Sequence, residues 1–85
     1  MVEVKEVIWS NTFENEVKKL KDGLIRIRIK KQIVRIVENP DIGKPLRFGL
    51  KGERTVYLKP FRIVYKIDNG ILTLLRFEPR DNVYD

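Results

Sequence analysis

Apolar and polar positions recur along this chain with enough regularity to divide it into elements. Val4 to Trp9 reads as a short strand, closed by Ser10-Asn11. Asn11, with Glu14 three residues on, has the form of a capping box. Phe13, Val17 and Leu20 then fall at i, i+4 and i+7 on one helical face, and Gly23 suits a helix stop. The next segment carries two patterns. Leu24 to Lys30 alternates with period two, as a strand does, whereas Ile25, Ile29, Ile33 and Ile36 form a helical stripe continued by Val37. The helical pattern runs longer, to Glu38, and Pro40 follows as a stop, so a helix starting near residue 24 is expected. Ile27 and Val34 lie off its main stripe, where they either widen the core face or meet a partner.

Residues 39–53 read as loop, from Asn39-Pro40-Asp41 through Gly43-Lys44-Pro45 to Gly49-Leu50-Lys51-Gly52. From Arg54 the chain turns to strands. Arg54 to Leu58 and Phe61 to Ile67 are separated by Lys59-Pro60, and Asn69-Gly70 is a strong two-residue hairpin signal before a strand from Ile71 to Phe77. A short polar tail closes the chain at Val83-Tyr84-Asp85. The order β-α-α-β-β-β predicts an α+β fold: an N-terminal strand, then an αα-hairpin packed on an antiparallel sheet. With 85 residues and no repeats, a single domain over residues 1–85 is expected.

Charge adds a functional direction. The net charge is +6, and it is clustered. Residues 17–35 carry eight Lys/Arg against Asp22 alone, and residues 44–66 carry seven against Glu53 alone. Such fields favour polyanions, although solvated surface lysines produce the same count. The chain has neither cysteine nor histidine. That removes disulfides, thiolate metal sites and the commonest general acid–base group. No apolar run approaches the roughly 18–20 residues of a membrane span, and the first residues do not resemble a signal peptide, so a cytoplasmic protein is expected.

The hairpin fixes an expected register. If Asn69-Gly70 makes a tight turn, Tyr65 faces Leu74, Ile63 faces Arg76 and Arg62 faces Phe77. Three further residues, roughly 10 Å of extended chain, let Arg80 fold back towards Arg62, while Arg76 starts on the opposite face. Tyr84 shares the side of Arg80 if the tail is helical. Two guanidiniums converging on one sheet face form a phosphate clamp. The alternative is that each arginine is a solvated surface charge or pairs with Glu78 or Asp81.

Several segments, in this order and spacing, resemble the RelE/ParE superfamily of toxin–antitoxin toxins, and within it the RelE branch of archaeal type. They are the basic αα-hairpin closed by Glu38-Asn39-Pro40, then Gly43-Lys44-Pro45-Leu46 and Leu50-Lys51-Gly52. Phe61-Arg62-Ile63-Val64-Tyr65 is similar to the family's Tyr-Arg-hydrophobic-hydrophobic-Tyr strand, and Arg80-Asp81-Asn82-Val83-Tyr84 to its terminal Arg-x-x-Val-Tyr. The resemblance implies a RelE-like fold and a ribosome-dependent endoribonuclease, in which the ribose 2′-hydroxyl attacks the adjacent phosphate without a metal or other cofactor. It implies catalytic roles for Arg62 and Arg80 on the phosphate and for Tyr84 in positioning RNA. It also implies a cognate RelB-type antitoxin, and a hetero-oligomer that binds operator DNA through that antitoxin. Lys44, Arg47, Lys51 and Arg54 are the expected contacts to ribosomal or messenger RNA backbone.

This chain departs from the pattern at four positions. Where strongly active members carry basic residues, it has Thr55 and Tyr57; where a histidine is common, it has Pro79; and a further arginine position reads Glu78. Tyr57 is then the candidate base, a role for which a tyrosine hydroxyl needs neighbouring cations. These departures keep two other readings open: a catalytically weak relative acting through antitoxin and operator binding, and a gyrase inhibitor of the ParE branch.

Overall fold

The computed structural model describes residues 3–46 and 52–80. The elements are β1 (Glu6–Trp9), α1 (Asn11–Lys18), α2 (Gly23–Glu38), a 3₁₀ turn at Pro40–Ile42, β2 (Lys44–Pro45), β3 (Glu53–Leu58), β4 (Phe61–Asp68) and β5 (Ile71–Pro79). The expected α+β order holds, with two corrections. The five strands run β1-β5-β4-β3-β2, and β1 joins β5 in parallel, so the sheet is mixed and not wholly antiparallel. The loop region also yields β2, a two-residue edge strand on β3.

Capping residues differ from those the sequence suggested. The N-cap of α1 is Ser10, whose Oγ accepts the Phe13 N–H at 3.1 Å, so Asn11 is the first helical residue. Gly23 starts α2 instead of stopping α1; Asp22 caps it by accepting from the Leu24 N–H at 2.9 Å. The long apolar segment is one helix, and its stripe does what its period demands. Ile29, Ile33 and Ile36 are buried, packed with Phe13 and with Leu58, Ile63, Tyr65, Leu72, Leu74 and Phe77 from the sheet. Ile27 and Val34 do not widen that face; they remain 52% and 56% exposed beside Leu24. No helix among the described residues is long and apolar enough to cross a membrane.

The hairpin at Asn69-Gly70 forms as expected, with φ of 52° and 81°, the paired left-handed conformation that this dipeptide favours. From Asp68↔Ile71 to Tyr65↔Leu74 the register is the expected one. It then slips by one residue. A bulge opposite Val64 and Tyr65 leaves Leu75 as the extra residue, and the ladder resumes with Val64↔Arg76, Ile63↔Phe77 and Arg62↔Glu78. Packing gives the reason. Leu74 and Phe77 are both buried on the helix side, and two residues three apart in a strand share a face only if one is inserted between them. The Leu75 carbonyl accepts the Ser10 hydroxyl at 2.9 Å, which ties the bulge to the cap of α1.

The loop ahead of β2 is fixed from within. Tyr65, fully buried, donates its hydroxyl to the Pro40 carbonyl at 2.6 Å and accepts the Gly43 N–H at 3.0 Å. A Cβ at Gly43 would stand 2.6 Å from that hydroxyl oxygen and 3.0 Å from the Thr55 carbonyl. Gly43→Ala is therefore expected to destabilise the protein by about 1–3 kcal/mol, as overpacking does. Chemical denaturation reads this as a lower midpoint at unchanged slope. An unchanged midpoint would mean that the loop moves aside without cost.

Candidate functional site

The face of the sheet turned away from the helices gathers the charges. Cross-strand pairs place Glu53, Thr55 and Tyr57 of β3 beside Lys66, Val64 and Arg62 of β4. On the other side of β4 they place Thr73, Arg76 and Glu78 of β5 beside the same three residues. Lys44 pairs with Thr55 and extends the row onto β2. Because β4 is the central strand, Arg62 has neighbours on both sides: Tyr57 and Glu78.

Bulge and charge are connected. The expected register put Arg62 opposite Phe77 and Arg76 on the helix side. The slip reverses both, so Arg62 faces Glu78 and Arg76 joins the open face. Arg76 is thus a functional candidate that the sequence reading passed over. The signal for it was present in the spacing of Leu72, Leu74 and Phe77, which asks for an inserted residue.

Arg62 donates from Nε and Nη2 to the same Glu78 oxygen, Oε1, at 2.9 and 2.8 Å. The other Glu78 oxygen lies 3.9 Å from Arg76 Nε. Arg76 in turn donates from Nη2 to Glu53 Oε1 at 3.0 Å. The result is a chain of alternating charge, Arg62–Glu78–Arg76–Glu53. It is unevenly wet: the Glu53 side chain is 7% exposed, that of Glu78 34%. Charge-assisted bonds of this kind are short and directional, and they set the guanidinium planes before any ligand arrives.

Arg80 reaches the same face by another route. Its N–H donates to the Pro60 carbonyl at 2.8 Å, and its guanidinium lies over the Tyr57 ring, 4.1 Å from the centroid. Arg62, Tyr57 and Arg80 are therefore brought together, with Tyr57 between the two arginines. Thr55 lies beside them with its hydroxyl buried and without a hydrogen-bond partner among the described residues.

Arg54 is placed elsewhere. It pairs with Tyr65 on the helix side, and its Nη1 donates to the Gly43 carbonyl at 2.7 Å. Its Nη2 lies 3.8 Å from the Asp41 carboxylate, so it secures the loop of Pro40 to Gly43. Arg47, Lys51 and Tyr84 lie outside the described residues.

The comparisons with known proteins agree with this architecture. Residues 7–84 match the family model described as the ParE toxin of type II toxin–antitoxin systems, parDE. The chain belongs to that family. Its fold is similar to the intact RelBE toxin–antitoxin complex of E. coli at 25% identity and a TM-score of 0.74, over 88% of this chain and 95% of that one. The RelBE2 toxin–antitoxin complex of Mycobacterium tuberculosis matches at 23% identity and a TM-score of 0.74, over 94% and 100%. The E. coli DinJ–YafQ toxin–antitoxin complex matches at 18% and 0.68, over 93% and 96%. No protein of curated function matches in sequence. The protein is thus a RelE/ParE superfamily toxin, as the motifs around Arg62 and Arg80 implied. In this toxin the arginine cluster sits on β4, on β5 and just beyond β5, beside Tyr57 of β3.

Proposed function

We propose that this toxin is a ribosome-dependent endoribonuclease that cleaves messenger RNA in the cytoplasm and so stops translation. The observation that carries the reading is the convergence on one sheet face of Arg62 and Arg80 at Tyr57 and of Arg62 and Arg76 at Glu78. Guanidiniums on β4, on β5 and just beyond β5 suit a phosphodiester whose charge grows during transfer. The 2′-hydroxyl oxygen attacks the neighbouring phosphorus and the P–O5′ bond breaks. This leaves a 2′,3′-cyclic phosphate and a 5′-hydroxyl. In this reading Arg62 and Arg80 hold the phosphate with Arg76 beside Arg62, Tyr57 handles a proton at its hydroxyl, and Tyr84 positions a nucleotide.

Lys44, at the sheet edge on the same face, contacts RNA backbone, with Arg47 and Lys51 further along the chain. Arg54 has its guanidinium engaged by the loop carbonyls, so its contribution to RNA is to hold Lys44 in place. A RelB-type antitoxin is the expected partner. Acidic stretches suit a chain of net charge +6, and exposed Leu24, Ile27 and Val34 on α2 offer apolar surface to cover. Through that antitoxin the complex would bind operator DNA.

Primer extension on a translated message in a reconstituted system tests the reading, with and without ribosomes. New 5′ ends that require ribosomes support it, and the affinity of the toxin for ribosomes should fall steeply with salt. One observation favours a second reading. Glu78 and Glu53 already occupy guanidinium positions that a phosphate would take, as in a catalytically weak relative that acts by binding its antitoxin. Translation that continues with no new 5′ ends, alongside retained antitoxin binding, selects it. Arrested DNA supercoiling instead would select gyrase inhibition.

A further inference from the structure

We propose that Glu78 is the group that takes the proton from the attacking 2′-hydroxyl, an assignment that rests on the nuclease reading above. Transphosphorylation without a metal needs one group to accept that proton and another to supply one to the leaving 5′-oxygen. The chain has no histidine to do either. Guanidinium groups offer donors and no acceptor, so Arg62, Arg76 and Arg80 are unsuited to the first task, while Lys44, on the edge strand, and Lys66, four residues along β4, stand away from Arg62. Among the described residues of this face the carboxylates are Glu6, Glu53, Asp68 and Glu78, and Glu6 and Asp68 stand beside Ile71 at the end of the sheet away from Arg62. Glu53 is 7% exposed, paired with the Arg76 side chain, and poorly placed to meet a ribose.

Glu78 is placed differently. Its Oε1 rests on Arg62 and its Oε2 faces Arg76, so the carboxylate lies between two guanidiniums that would hold the phosphate. In an RNA chain the 2′-oxygen sits next to the scissile phosphorus, about 3–3.5 Å away in a near-attack conformer. A phosphate seated beside Arg62 and Arg76 therefore presents its 2′-hydroxyl to the carboxylate that bridges them. Each guanidinium has five N–H donors, enough to hold a carboxylate and a phosphate oxygen together.

The step balances within this chain and its substrate. The 2′-O–H proton passes to a Glu78 oxygen as the 2′-O–P bond forms. The P–O5′ bond breaks, and the Tyr57 hydroxyl gives its proton to the 5′-oxygen; exchange with water restores both groups. Tyr57 is therefore the donor and not the base. Among the described residues, the charged groups at Glu78 are Arg62 from β4 and Arg76 on its own strand, with Tyr57 beyond Arg62 and Glu53 beyond Arg76 on β3. Arg80 lies over the Tyr57 ring.

Single-turnover cleavage of a ribosome-bound message tests this with the full chain, its Glu78→Gln variant and its Glu78→Asp variant, each measured over a range of pH. Glu78→Gln is expected to cut the rate about 100-fold or more, to bind ribosomes as tightly as wild type or tighter, and to lose the rise of rate with pH. Glu78→Asp, which keeps a carboxylate one methylene short, should fall between the two. Thermal melting and ribosome binding of each variant show that it is folded. Cleavage by Glu78→Gln within about threefold of wild type, or faster, overturns the assignment and leaves the nuclease reading intact. So does a slower Glu78→Gln that keeps the wild-type pH profile, since Glu78 would then only position the arginines. Absence of cleavage by wild type sinks both.

Discussion

Arg62→Ala is expected to slow messenger RNA cleavage by at least about 100-fold, on the order of 3 kcal/mol in the barrier, while leaving the fold in place. Arg62 stands near the start of the central strand, with Tyr57 on one side and Glu78 on the other. Its guanidinium is held at Nε and Nη2 by one carboxylate oxygen, so its plane is set before RNA binds. Alanine removes the charge and its orientation together. Lysine restores the charge as a single point without the planar fork, so Arg62→Lys should recover only a small part of the rate. The stability cost is modest. The Arg62–Glu78 pair is partly exposed and solvent-screened, which holds its contribution to about 1 kcal/mol or less. Primer extension paired with a melting curve separates the two effects. If Arg62→Ala cleaves within a few-fold of wild type, the central guanidinium is not part of the chemistry.

The helices and strands were more legible in the sequence than the partners of the charges on the open face. Period, with the length of the helical stripe and the stop at Pro40, located α2, and alternation located the strands, because Ile29, Ile33 and Ile36, or Ile63 and Tyr65, have one face to bury. Asn69-Gly70 set the hairpin and the first four pairs of β4 with β5. What periodicity does not carry is a local insertion. The bulge at Leu75 changes the partner of every residue beyond it, and with it the side on which Arg76 emerges. Pairing β1 in parallel with β5 was also hidden, since a four-residue strand has no pattern that names its neighbour. Ser10 and Gly23 went astray for a related reason. Ser and Asn stand next to each other before α1, and a glycine suits either end of a helix, so only the tertiary contacts decide. The family motifs supplied what periodicity lacked by marking Arg62 and Arg80. Glu78 stood in the sequence as a departure from the motif and as a possible partner of the arginines, but that it bridges Arg62 and Arg76 is visible only once the register is known.

Tyr65→Phe is the second large effect, this time on stability. The phenylalanine fills nearly the same space but leaves the Pro40 carbonyl and the Gly43 N–H, both in buried residues, without their partner. A buried polar group stranded in this way costs about 1–3 kcal/mol, so the substitution should cost about 2–4 kcal/mol in all. That is a large fraction of the roughly 5–10 kcal/mol available to a small domain. At about 4–8 °C of melting temperature per kcal/mol the drop is easily measured. A melting temperature within 2–3 °C of wild type, allowing for about 0.5 kcal/mol, would show that water replaces the hydroxyl. The pH dependence gives an independent reading. Burial pushes the Tyr65 hydroxyl above its ordinary value of 10.0, against the opposing pull of the Gly43 N–H and the Arg54 charge. The folded state therefore keeps this proton after the unfolded chain has lost it. Wild type should lose stability as pH rises past about 10, and the loss continues until the folded hydroxyl ionises. Tyr65→Phe lacks that component, so the gap between the two proteins should narrow as the solution becomes alkaline. The consequence reaches the site, because this hydroxyl holds the loop that leads into Lys44, and Arg54 grips the same loop at the Gly43 carbonyl. Loosening it should weaken ribosome affinity through Lys44 while leaving Arg62, Glu78 and Arg76 paired as they are.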